Sequence, residues 1–177
     1  ARSAYKLKEI QGKYHVMKRG DRVLDLGCAP GSFLQVLSGL IGPEGLAVGI
    51  DILPVLPLPY KNVLTLQEDI KEINMSALLS RLFLADFDVI TCDIAPNLSG
   101  IREVDNKKVH ELYHALRTII QGGLKKGGNL ILKSFFSDIF KDITSDLKTI
   151  FRKVSIFKPA ASRGVSSEIY LVCLYKK

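Results

Sequence analysis

Cysteine is scarce and odd in number: Cys28, Cys92 and Cys173 stand far apart, each in or beside an apolar run. That spacing excludes a disulfide framework and a zinc-ligand cluster, and it predicts three buried, reduced thiols. No apolar run approaches the ~20 residues needed to cross a bilayer. Nothing at the start has the basic, apolar and small-residue layout of a secretory signal. The expectation is a cytoplasmic protein, or a mitochondrial one in a eukaryote, its targeting segment lying before Ala1, since the chain opens on Ala-Arg-Ser rather than Met. Acid is in deficit, with 18 Asp plus Glu against 25 Lys plus Arg and a net charge of +7. A polyanionic partner suits that balance; nucleic acid and an acidic membrane surface both satisfy it. Internal repeats and low-complexity tracts are absent.

What is present is one domain's length of chain, 177 residues of which 47% are hydrophobic, enough for a core. Short β-branched runs predict seven strands: Val23–Leu26, Leu46–Ile50, Val63–Leu66, Val89–Cys92, Leu130–Leu132, Val154–Phe157 and Ile169–Leu174. Helical periodicity predicts helices near Phe33–Leu40, Met75–Leu84, Lys107–Ile120 and Ser137–Phe151, with breakers at residues 42–45, 122–123 and 127–128. Alternation of the two argues for an α/β fold with a mostly parallel sheet covered on both faces. The proline-rich run from Leu53 to Pro59 reads as an extended loop.

In such sheets ligands bind beyond the carboxyl ends of the strands, where strand order reverses. The turn Gly27-Cys28-Ala29-Pro30-Gly31-Ser32-Phe33 occupies that place after the first strand. Gly27 and Gly31 permit a sharp turn and close approach to a ligand, and Pro30 suits the first helical position. The spacing is neither that of a dinucleotide fingerprint nor of a phosphate loop. Carboxylates follow the next strands: Asp51 about 20 residues on, where a ribose acceptor belongs, then Asp69 and Asp93. A ribose acceptor, an acceptor for an exocyclic amine and a carboxylate near a positive centre together describe S-adenosylmethionine, which is cationic and has no phosphate. Lys133 ends the apolar run Leu130-Ile131-Leu132, a costly place for a charge without a partner. Should the last strand run antiparallel, Glu168 at its start approaches Lys133.

The segments Arg2-Ser3-Ala4-Tyr5-Lys6-Leu7, Asp25-Leu26-Gly27-Cys28-Ala29-Pro30-Gly31, Cys92-Asp93-Ile94-Ala95-Pro96-Asn97, Leu132-Lys133, Lys158-Pro159, Ser162-Arg163 and Ser167-Glu168-Ile169-Tyr170 stand in this order. In that order they closely resemble the FtsJ (RrmJ-type) ribosomal RNA ribose 2′-O-methyltransferases, and the likeness covers essentially the whole chain. It implies a single Rossmann-like methyltransferase domain over residues 1–177, with a seven-stranded, mostly parallel sheet, the last strand antiparallel and helices on both faces. It also implies S-adenosyl-L-methionine as cofactor, and a catalytic set of Lys6, Asp93, Lys133 and Glu168. Cofactor contacts fall to Gly27, Ala29, Pro30, Gly31, Phe33, Asp51, Asp69 and Asp93. The implied partner is large-subunit ribosomal RNA within the ribosomal subunit, with a uridine as target, for a monomer needing neither metal nor membrane. Ser32-Phe33 stands where the family often has Gly-Trp or Ser-Trp, and Cys28 replaces a common Ala.

On this reading Lys133 is the base that draws the proton from a ribose hydroxyl, its pKa lowered by burial and by Lys6, while Asp93 orients it and pulls the other way. Glu168 and Lys6 position the nucleotide. Lys8, Lys13, Lys18, Arg19, Lys107, Lys108, Lys125 and Lys126 are candidates to follow the phosphates. His110-Glu111-Leu112-Tyr113-His114 fits the zinc-protease pattern, yet its continuation is missing and the α/β setting is wrong. Other classes that fit the chain are a transfer RNA ribose methyltransferase, a small-molecule methyltransferase and a non-catalytic RNA-binding assembly factor.

Overall fold

The computed structural model describes residues 2–135, 137–160 and 168–177. Its elements in chain order are α1 (Arg2–Tyr14), β1 (Arg22–Leu26), α2 (Ser32–Ile41), β2 (Leu46–Asp51), β3 (Val63–Gln67), α3 (Met75–Leu82), β4 (Phe87–Cys92), α4 (Arg102–Gly123), β5 (Leu124–Phe135), α5 (Phe140–Ile150), β6 (Phe151–Phe157) and β7 (Glu168–Lys176). The seven strands form one sheet in the order β3-β2-β1-β4-β5-β7-β6. Pairings among β1 to β5 are parallel, and β7 lies antiparallel between β5 and β6.

Period-2 alternation splits the apolar side chains between two faces. Leu7 and Ile10 of α1 and Phe33, Leu34 and Leu37 of α2 pack with Val23, Ala47, Val89, Ile131 and Tyr170 on one face. Leu78, Leu116, Ile120, Ile143 and Leu147 of α3, α4 and α5 pack with Leu24, Ile50, Ile90, Leu130 and Leu171 on the other. All three cysteines are free and buried, as their spacing predicts. Among the described residues no helix is long and apolar enough to cross a membrane.

Several elements differ from the sequence reading, α4 among them, which runs beyond the expected Lys107–Ile120 at both ends. Helix α1 is absent from it, because only Leu7 and Ile10 of its 13 residues are buried and the rest of the helix is polar or partly wet. Strand β5 is far longer than expected and runs through Gly127-Gly128, where the pairing with β4 shifts register. The glycines make a bulge inside a strand, not a break between elements. Helix α5 stops at Ile150, so Phe151 opens β6 instead of closing a helix.

Strand order reverses between β1 and β4, which opens a crevice at the carboxyl ends of these strands. Because β7 is antiparallel, its first residues lie at that same edge: Lys133 pairs with Tyr170 and Phe135 with Glu168. Helix α1 covers the edge from one face and is anchored there by Leu7, which is fully buried. Leu7→Ala is expected to lower the unfolding free energy by about 2–5 kcal/mol in urea titrations. The exposed neighbour Lys8→Ala should stay within about 0.5 kcal/mol of the parent.

Candidate active site

The crevice has two parts, and the first is the turn from β1 to α2. Gly27 and Gly31 take φ values of 75° and 120°, a region that costs an L side chain roughly 1–2 kcal/mol. A Cβ on Gly27 would stand 2.4 Å from Ile94 Cγ1, inside the cradle. The Gly27 amide donates to Ile50 O at 2.8 Å. At the end of β2, Asp51 accepts from Ala29 N and from Leu53 N, each at 2.9 Å. These bonds fasten the turn to β2 and leave each Asp51 oxygen a further lone pair for a ligand.

Pro30 does not hold the first helical position. Gly31, in a left-handed conformation that cannot continue into a helix, is the N-cap, so α2 begins at Ser32 and Pro30 sits exposed in the turn after a cis Ala29–Pro30 bond. Phe33 is 3% exposed and packs in the α1/α2 core. Asp69 caps the 3₁₀ turn Ile70–Glu72, its Oδ1 accepting from Lys71 N at 2.9 Å.

Beneath the turn Asp25 is wholly buried. Thr91 Oγ1 donates to its Oδ1 at 2.7 Å, and Oδ2 has no partner among the described residues. Burial, opposed by the Thr91 bond and reinforced by the charges of Asp93 and Asp51, pushes the Asp25 pKa up to about 8. Three carboxyl groups therefore crowd one turn. An orphaned buried oxygen, a glycine cradle and this excess of carboxylate fit a ligand that is cationic, carries hydroxyls and lacks phosphate.

The second part lies on the α1 side of the edge, at β4, β5 and β7. Lys133 Nζ stands 3.2 Å from both Oδ1 and the main-chain oxygen of Asp93, the residue that follows β4. Lys6 of α1 forms an ion pair with Glu168 at the start of β7. Tyr170, directly across from Lys133, joins the pairs: its hydroxyl donates to Asp93 Oδ1 at 3.0 Å and lies 3.5 Å from Glu168 Oε1. A phenol has one proton, so the shorter contact takes it. Burial, then the negative charges of Asp93 and Glu168, hold the Tyr170 pKa far above its ordinary value, and it stays a donor.

Side-chain exposures of 14% for Lys6 and Glu168, 11% for Lys133 and 16% for Asp93 put both pairs largely out of water. All four expected residues thus share one edge. Glu168, however, pairs with Lys6, and Tyr170 stands between it and the Lys133–Asp93 pair. Tyr170 was not among the expected site residues, although it shares a face with Glu168 two positions earlier on the strand. Ser162, Arg163 and Ser167 lie outside the described residues.

His110, Glu111 and His114 are on α4, and among the described residues no group of three or more His, Cys, Asp or Glu is arranged to hold a metal. The middle of that motif has a packing role: Tyr113 Oη donates to Asp146 at 2.6 Å and Arg117 Nε lies 2.8 Å from it, tying α4 to α5. Of the basic candidates, Lys125 pairs with Asp88 at 2.6 Å and Lys108 donates to Asn97 O at 2.8 Å.

The FtsJ-like methyltransferase family model matches residues 1–176. The chain is 41% identical to the ribosomal RNA large subunit methyltransferase E of Methanothrix thermoacetophila over 172 residues, 97% of this chain and 66% of the relative, so it spans about two thirds of that protein. The crystal structure of a Plasmodium falciparum protein assigned as a ribosomal RNA methyltransferase superposes with a TM-score of 0.86 at 30% identity, covering 99% of this chain and 97% of that one. Aeropyrum pernix fibrillarin, crystallised with natively bound S-adenosyl-L-methionine, shares the fold: TM-score 0.65, 17% identity, 98% and 74% coverage.

The raised pKa of Asp25 sets a sign for stability against pH. Between the unfolded value of 3.8 and about 8 the native state keeps a proton that the unfolded chain has lost. Stability from this group is therefore full below 3.8, falls as pH climbs through that window and levels off above 8. Asp25→Asn should flatten this slope in denaturant titrations repeated across the window; an unaltered slope in the variant would assign it to other groups.

Proposed function

The chain belongs to the FtsJ-like methyltransferase family, and from that premise we propose that it methylates the 2′-hydroxyl of a ribose in large-subunit ribosomal RNA, a uridine, with S-adenosyl-L-methionine as methyl donor. The observation that carries this reading is the Lys133–Asp93 pair beside the carboxylate-lined turn. The printed names of the relatives support the RNA class, and the net charge of +7 suits a polyanion. A 2′-hydroxyl is also what marks RNA against DNA.

In this account Gly27, Ala29, Pro30 and Gly31 hold the cofactor with Asp51, Asp69 and Asp93. When bound, the cofactor would supply a methyl group on a cationic sulfonium, whose sulfur keeps the electron pair of the broken carbon–sulfur bond and leaves as a neutral thioether. A ribose hydroxyl is a poor nucleophile until its proton is drawn off, and Lys133, once it has released its own proton to solvent, takes that proton while the new oxygen–carbon bond forms. The ammonium that results already has its counter-ion, Asp93 Oδ1, at 3.2 Å. Tyr170 holds Asp93 further by donating to the same oxygen at 3.0 Å. Lys6 and Glu168, paired with each other, position the nucleotide.

Undermodified large ribosomal subunits, incubated with methyl-labelled S-adenosylmethionine, should gain label in an alkali-resistant dinucleotide. Lys133→Ala should lower the single-turnover rate by about 10²–10⁴, and Tyr170→Phe, which loses one hydrogen bond, by about tenfold or less. Labelling at the parent rate with Lys133→Ala would remove Lys133 as the base. No label from the parent protein would overturn the reading.

A further inference from the structure

A cavity of about 490 Å³ lies on the α4/α5 face, beneath the connection from β4 to α4. That is within the ~300–1,000 Å³ usual for ligand sites. Ile94, Leu98, Val109, Leu112 and Leu132 wall it. The methyl-transfer account above uses none of these walls for chemistry. Yet Lys133 lines the cavity as well as pairing with Asp93, so the two spaces meet at the proposed base.

The wall bearing Leu98 is preformed. Asp105 accepts from Ser99 N at 2.7 Å, Ser99 Oγ at 2.8 Å and Gly100 N at 3.1 Å, which pins the connection to the first turn of α4. Leu98 is nonetheless 60% exposed, an apolar side chain at the rim with water on it. Besides Lys133, the polar side chains of the lining include Asp105, Asn106, Tyr113, Ser134 and Ser137, and those of Asn106 and Ser134 have no hydrogen-bond partner among the described residues. An amide offers donors and an acceptor on one edge. Across the lining run Arg102 and Asp138, an ion pair with side-chain exposures of 77% and 51%. A pair so exposed is weak and opens readily.

We propose that this cavity receives the base of the nucleotide whose ribose is methylated; the proposal rests on the RNA ribose methylation set out above. A nucleobase is apolar on its two faces and polar along its edge, which matches aliphatic walls interrupted by polar groups, among them an amide with no other partner. It is also bonded to the sugar carbon next to the one that bears the 2′-hydroxyl. A ribose placed with that hydroxyl at Lys133 therefore carries its own base into the adjoining space. The base must leave its stack to enter, so the target sits in an unpaired or readily opened segment of RNA.

The test begins with the position that the parent protein methylates in undermodified large-subunit RNA. That RNA is prepared by ligation in two forms, intact and with the base at that position removed while the ribose keeps its 2′-hydroxyl. The parent should methylate the intact form about 10- to 100-fold faster than the abasic one. In Val109→Trp, which fills the cavity, the ratio of the two rates should fall toward one. Asn106→Ala adds no volume and should lower the ratio by about fivefold. Melting temperature and S-adenosylmethionine binding report that both variants fold. A ratio in Val109→Trp and Asn106→Ala equal to the parent's overturns the pocket while leaving the methylation reading intact. No methylation of either form by the parent overturns the reading and the pocket together.

Discussion

A charge held out of water needs its counter-ion, and at this sheet edge the requirement acts on four side chains at once. Lys6 and Glu168, and Lys133 and Asp93, are each between 11% and 16% exposed. Removing one partner of such a pair strands the other at a cost of about 3–5 kcal/mol. Each pair joins parts of the chain distant in sequence, Lys6 to Glu168 over 162 positions and Lys133 to Asp93 over 40. Helix α1 and the ends of β4, β5 and β7 are thereby held to one place. Tyr170 stands between the two pairs and donates to Asp93. The reversal of strand order brings these ends together, and the antiparallel course of β7 delivers Glu168 and Tyr170 to the edge where the parallel strands finish.

The neighbouring turn works by the opposite imbalance. Burial above all, then repulsion from Asp93 and Asp51, pushes the Asp25 pKa up to about 8 against the pull of the Thr91 bond. A cationic ligand relieves that repulsion, whereas a phosphate would add to it. The glycine turn, tied down by Ile50 and Asp51, leaves room where any side chain would intrude. One edge thus offers a cation-seeking cradle, a lysine with its counter-ion and an apolar space beyond, in that order along β1, β4 and β5.

Much of this could be read from residue order. Apolar β-branched runs marked each strand because strands covered on both faces carry little polar relief, and the acids Asp51, Asp69 and Asp93 announced the edge by ending or following successive strands. Helix α1 was illegible: a helix that buries two residues has almost no apolar stripe to see. Gly127-Gly128 looked like a break because glycine signals both turns and bulges, and only the register with β4 distinguishes them. Pro30 was misplaced by one local rule, Pro at the start of helices, which yielded to the left-handed Gly31 that the turn requires. Tyr170 is a fully buried core aromatic, and its hydroxyl acquires a role only when folding sets it between Asp93 and Glu168. The Lys6–Glu168 pairing lay beyond any local pattern, since it depends on where α1 crosses the sheet.

The central claim is that the hydroxyl of a ribose, and not a base atom, receives the methyl group at the Lys133–Asp93 pair. Replacing the ribose at the methylated position of large-subunit RNA by 2′-deoxyribose, with every other atom kept, tests it most directly. The account predicts that methyl transfer to that position disappears while the RNA still binds the protein. Methyl transfer persisting on the deoxy position would contradict it.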